Sequence, residues 1–130
     1  MNRILFLTFI FLSCSNVDCN ELVYQNGVTT LGSKLFDGDC ESNFNNGKLS
    51  SIQSYFQGKD NGAWIFYYQN GLKKTEAFFD KGKRIGEWKY YHENGKLFKV
   101  QRYNKQGQKE GVWETFNENG ELIRTDTISN

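Results

Sequence analysis

One histidine, His92, stands in the whole chain. Serine, cysteine or zinc chemistry built on it would lack its usual partners. His92 lies two residues before an Asn-Gly pair, where Tyr68 and Asn117 stand in sister segments, and so reads as an ordinary strand residue. No phosphate-cradling glycine loop, G-x-S-x-G elbow, H-E-x-x-H or C-x-x-C occurs. No carboxylate pair stands at a spacing that marks glycan hydrolysis, which argues against an enzyme working on wall or glycan material. Charge of one sign is lacking too. Setting Arg3 aside with the N-terminal segment leaves 15 Lys+Arg against 15 Asp+Glu. That balance argues against a nucleic-acid surface, which normally shows a basic excess or stripe, and aromatics without a basic groove make a poor single-strand platform.

Long apolar runs are missing as well. Ile4 to Leu12, broken only by Thr8 and preceded by Arg3, is too short to cross a bilayer but suits the h-region of a secretory signal. It leads into Phe11-Leu12-Ser13-Cys14-Ser15-Asn16, which resembles the lipobox of bacterial lipoproteins, with Phe11 where that pattern prefers Leu. The resemblance implies removal of residues 1–13, a lipid on Cys14 and a tether over 14–20, with the chain held on a bacterial membrane. Plain cleavage and secretion, or release to the periplasm, is the alternative. Two further cysteines, Cys19 and Cys40, would then lie where disulfides persist. They either bridge, pinning the tether to the first hairpin, or Cys19 sits in a loose tail and Cys40 is a small buried residue.

What the chain has is a repeat. Asn46-Gly47, Asn70-Gly71, Asn94-Gly95 and Asn119-Gly120 recur at steps of 24, 24 and 25 residues, while Asn26-Gly27 and Asn61-Gly62 fall outside that register. Seven residues before the in-register glycine stand Trp64, Trp88 and Trp113, with Cys40 in the first copy. Four before it stand Tyr67, Tyr91 and Phe116. Eight after it stand Tyr55, Phe79 and Tyr103, and Ile128 in the last copy. The extra residue of the third copy falls between Tyr103 and Gly107, which marks a loop. Asn-Gly between aromatic and β-branched runs signals a β-hairpin, expected here with a two-residue type I′ turn.

The reading is therefore all-β: an antiparallel meander of β-hairpins of about 24 residues in one sheet, whose recurring glycines exclude helix. Residues 21–61 are expected to form one degenerate cap hairpin and 62–130 three full repeats. A two-residue turn at Asn94-Gly95 sets His92 opposite Leu97, Tyr90 opposite Lys99 and Trp88 opposite Gln101. One face then carries Trp88, Tyr90, Leu97 and Tyr103; the other carries Tyr91, Phe98 and Val100. Trp64, Trp88, Trp113, Tyr55, Phe79 and Tyr103 form the expected core, each burying about 150–250 Å².

The segment Phe79-x-x-Gly82-x-x-x-Gly86-x-Trp88, then Tyr91 and Asn94-Gly95, resembles the MORN-repeat-variant family. Leu22 to Gly27 and Leu35 to Gly38 are similar to the lead-in of such proteins. The resemblance covers about Glu21 to the C-terminus and implies a β-hairpin array, often on a lipoprotein, with the label of a YwqK-type toxin–antitoxin antitoxin. MORN arrays elsewhere serve membranes, lipid head groups and scaffolds.

The functional expectation is a non-enzymatic, envelope-anchored module that binds a protein partner through exposed aromatics or an outer strand, Leu122 to Ile128 being the candidate edge. An antitoxin that neutralises a partner toxin, or a membrane-associating scaffold, is the alternative. No cofactor or metal is expected. Asp37, Asp39 and Glu41 alternate as calcium ligands can, but read better as a solvated turn. Lys81, Lys83 and Arg84 make the most basic loop, read as a solvated one rather than as a contact for anionic lipid.

Overall fold

The computed structural model describes residues 16–129. The signal segment and the lipidation expected at Cys14 lie outside them. Thirteen strands and one 3-10 turn, Cys19–Glu21, make up the described residues. In chain order the strands are β1 (Val17–Asp18), β2 (Leu22–Gln25), β3 (Val28–Leu31), β4 (Lys34–Leu35), β5 (Gly38–Asn43), β6 (Leu49–Phe56) and β7 (Lys59–Tyr67). There follow β8 (Lys73–Asp80), β9 (Lys83–Arg84), β10 (Gly86–Tyr91), β11 (Leu97–Tyr103), β12 (Gly111–Phe116) and β13 (Leu122–Ile128). One ten-stranded sheet runs β1-β5-β6-β7-β8-β10-β11-β12-β13, with β9 paired to β8. Apart from the parallel β1–β5 contact, every pairing is antiparallel and joins neighbours in the chain, β8–β10 passing over only the short β9. This is the expected all-β meander.

The turns differ from expectation. At each in-register Asn-Gly the loop has three residues: His92 N–H donates to the Lys96 carbonyl at 2.8 Å, and Gly95 N–H to that of His92 at 2.9 Å. Equivalent bonds close the loops at Phe44/Lys48, Tyr68/Leu72 and Asn117/Glu121. Only the glycine takes a left-handed φ, +83° at Gly95. The asparagine serves through its side chain instead. Asn46, Asn70 and Asn94 accept, through Oδ1, the N–H two residues on, at 2.9–3.0 Å. Two-residue turns with both φ angles positive do occur, at Asn26-Gly27, Gln57-Gly58 and Lys81-Gly82. The first is out of register, and the others lie at the opposite end of the hairpins. In the third unit the extra residue converts that far turn to a three-residue loop, closed by Asn104 and Gln108.

The three-residue loop corrects the register near it. Trp88 still lies opposite Gln101 and Tyr90 opposite Lys99, but a bulge then sets Tyr91, not His92, opposite Leu97. Paired residues share a face, so Leu97 moves to the side of Tyr91 and away from Trp88. The same bulge recurs at Ser42/Asn43, Phe66/Tyr67 and Thr115/Phe116.

Residues 21–61 are not one hairpin. Strands β2, β3 and β4 form a separate three-stranded sheet, and β5–β6 form the hairpin after it. The small sheet leans on the large one at Gly58. Thr29 N–H donates to the Gly58 carbonyl at 2.7 Å, and Gly58 N–H to that of Phe36 at 2.8 Å. A Cβ on Gly58 would stand 2.7 Å from the Thr29 carbonyl oxygen, so close approach as well as φ +73° demands glycine there.

Candidate functional site: an aromatic face and an open edge

Alternation along the strands puts one ring from each strand on a single face of the sheet. Ring centroids link Phe36 to Tyr55 at 5.6 Å, Tyr55 to Trp64 at 5.3 Å and Trp64 to Phe79 at 5.0 Å. The chain continues from Phe79 to Trp88 at 5.0 Å, to Tyr103 at 5.6 Å and to Trp113 at 5.8 Å. All contacts are tilted or edge-on, the arrangement ring quadrupoles favour, each worth about 0.5–1.5 kcal/mol beyond area burial. Trp88, Tyr103 and Ala77 are buried; Trp64, Phe79, Tyr90 and Trp113 pack against them and stay partly open. Each indole N–H is satisfied by a carbonyl of the preceding strand: Trp64 to Ser54 at 2.8 Å, Trp88 to Phe78 at 3.1 Å and Trp113 to Arg102 at 3.3 Å.

Cations cover the rings. The Arg84 guanidinium lies 4.7 Å from the Trp88 ring centroid and donates to the Tyr103 hydroxyl at 3.3 Å. Lys109, its counterpart one unit on, sits 4.8 Å over Trp113. Arg84 stays exposed, as its reading as a loop cation expects, but its guanidinium also stacks on the aromatic face. Lys83 is exposed, and Lys81 is a left-handed turn residue. In the second unit Asp60 takes the place of Arg84 by spacing; its carboxylate adds to the burial that pushes the Tyr55 phenol up to about 12.

The opposite face carries charge. Arg102 pairs with Glu87 at 3.1 Å and Glu114 at 2.9 Å, bridging β10, β11 and β12. Glu76 pairs with Lys73 and accepts from the Tyr91 hydroxyl at 2.7 Å. These two donors hold the Glu76 carboxyl below its ordinary range, while burial and this bond push Tyr91 up to about 12. Phe78 and Val112 are exposed on this side.

A third set of contacts joins the units at their Asn-Gly ends. Asn70 Nδ2 donates to the Glu93 carbonyl at 2.8 Å and Asn94 Nδ2 to that of Glu118 at 2.9 Å. Tyr68 Oη donates to the Tyr91 carbonyl at 2.7 Å. His92 does the same work one unit later: its Nε2 lies 3.0 Å from the Phe116 carbonyl, which can only accept, so Nε2 carries the proton. The sequence shows this row, His92 with Tyr68 and Asn117, but as ordinary strand residues; its bonds to the next unit were not legible there.

Cys19 and Cys40 form a disulfide with Cα atoms 5.0 Å apart. Cys40 is fully buried at the tryptophan position of the first unit. Asp37 accepts the Gln57 N–H through Oδ1, as Asn61 accepts that of Lys81 at 3.1 Å. Among the described residues no three His, Cys, Asp or Glu side chains are grouped to hold a metal. The clefts are shallow; one of about 410 Å³ lies between hairpin ends, lined by residues including Phe44, Tyr68, Lys74 and Glu93. Strand β13 ends the large sheet, with Leu122 and Ile123 exposed.

No curated protein and no solved structure matches the chain. The family model described as MORN repeat variant matches three times, at residues 36–57, 84–105 and 109–130. The intervening β7–β8 hairpin has the same build. Repeats of this kind are commonly modules for protein or membrane interaction, and the family is generally non-catalytic. The matches span just over half of the residues, and the chain belongs to the MORN repeat variant family.

Proposed function

We propose that this protein is a non-enzymatic interaction module, held on a bacterial envelope by a lipid at Cys14, whose aromatic face receives a protein partner. The observation that carries the reading is a sheet with no second layer over its rings. Apart from the small sheet at the Gly58 end, no described strand layer covers Trp64, Phe66, Phe79 or Tyr90, and all four stay half-buried. Large aromatics left open to one side favour a partner surface, because they supply area at low conformational cost. The remaining distinctive residues already have structural work in turns, unit joints or ion pairs.

A photo-crosslinking residue at Tyr90 should capture a protein in intact envelopes, and one at Lys89, on the other face, should not. Equal yields from both positions, or none from Tyr90, would remove the proposal. Mass analysis of the mature N-terminus tests the anchor separately: a diacylglyceryl adduct on Cys14 is expected, and an unmodified residue there refutes it. The antitoxin role would use the same face, and a toxin reading frame beside the gene is the observation that would favour it.

A further inference from the structure

The two edges of the large sheet are unlike. At the N-terminal edge β1 lies along β5, pairing Val17 with Cys40 and Asp18 with Glu41, and the disulfide ties the two together. At the other edge, no described residue pairs with the outer side of β13. Its sister strands all receive a strand on that side, four and five residues after the repeat glycine. Ser51 and Ile52 of β6 pair with Phe66 and Ile65; Thr75 and Glu76 of β8 pair with Tyr90 and Lys89; Lys99 and Val100 of β11 pair with Thr115 and Glu114. The corresponding residues of β13 are Arg124 and Thr125. The array thus ends in a pairing slot of the kind it fills at every internal joint.

The side chains of that slot select its occupant. Reading outward from Thr125, the strand is nearly its own complement: Arg124 against Asp126, Ile123 against Thr127, Leu122 against Ile128. Arg124 and Asp126 form an exposed pair within the strand, Nη2 to Oδ1 at 2.8 Å, with side chains 69% and 41% accessible. Most incoming strands would set a like charge or an apolar residue against one of them, which discourages pairing. A second copy turned end for end sets Arg124 opposite Asp126 twice. Residues directly opposite in an antiparallel pair have Cβ atoms about 4.5–5.5 Å apart, within reach of such a pair.

We propose that a second copy of this chain docks antiparallel on the outer edge of β13, about a twofold axis at Thr125, to make one continuous sheet of two arrays. Among the described residues the N-terminal edge offers only the two-residue β1, too short to match the β13 slot, so the assembly closes at two. The bulge that leaves Ile123 unmatched keeps the seam short, as at the internal joints, and a short seam means affinity in the micromolar range or weaker. This inference rests on the edge and not on the aromatic face, so either can fail alone.

Sedimentation of the purified protein from micromolar to millimolar concentration should show a monomer passing to a dimer and no further. R124D and D126R should each be monomeric, since each sets like charges opposite one another. Mixed in equal amounts they should form a heterodimer, and the double swap R124D/D126R should dimerise like the parent. Arg124 is exposed and Asp126 only half-buried, so all variants should keep the parent's tryptophan emission and strand spectrum. A protein monomeric throughout, a dimer indifferent to the single swaps, or growth into longer polymers would each overturn the proposal.

Discussion

The array has a closed end and an open one. At the closed end a disulfide, a parallel strand and a three-stranded sheet replace the missing tryptophan, and Phe36 supplies the first ring of the stack. At the open end Trp113 is the last ring, covered by Lys109 and a charged strand. A stack of units buries a rung only between two neighbours, so each terminal rung needs a substitute neighbour or stays half wet. The closed end uses covalent and backbone devices. The open end uses charge.

The largest way to break this contrast is to cut the stack at its centre. Trp88→Ala should cost about 3–5 kcal/mol in urea denaturation, while Trp113→Ala, half-buried near the open end, should cost about half of that. Equal losses would mean that the ends are not distinct. Opening the closed end comes next: Cys19→Ser frees a loop spanning 21 residues and should cost about 3 kcal/mol by thermal melting. Gly58→Ala and Gly82→Ala then separate docking from turn chemistry. Both positions have positive φ, but only at Gly58 does a Cβ strike backbone, so Gly58→Ala should cost about 2 kcal/mol and Gly82→Ala about 1 kcal/mol. Asn94→Ala removes a bond to the next unit and should cost about 1 kcal/mol, whereas Asn119→Ala at the open end should be near neutral. The last effect is confined to alkali. Tyr55 and Tyr91 stay protonated up to about 12 in the fold, above their ordinary value of 10.0, so their contribution is complete below pH 10 and fades as pH rises toward 12. Tyr55→Phe with Tyr91→Phe should flatten that decline in a series of melts.

The course of the chain was legible because glycines and rings recur at one spacing. Counting from the glycines puts Trp64, Trp88 and Trp113 in one column, and in the fold that column alternates with Tyr55, Phe79 and Tyr103. The turn class was not legible from Asn-Gly alone. Asparagine can reach positive φ, but here its amide caps the loop and bonds the next unit, and that use leaves the same dipeptide in the sequence. One extra loop residue then moved Leu97 to the other face. The small sheet was not legible because Leu22 to Leu35 carries its Asn-Gly out of register and has no tryptophan. The ring contacts of Arg84 were hidden for a similar reason: its charge is plain in the sequence, whereas the two rings beneath it belong to later strands.

The joints between later units are narrow. Strand β10 meets β8 at two residue pairs with β9 adding two, and β12 meets β11 at two with one bridge more at Tyr103 and Lys109, while the hairpins β10–β11 and β12–β13 are each paired at six. A load applied across the sheet would meet its weakest resistance at those seams. The polypeptide should part there first, between intact hairpins, and give way in steps.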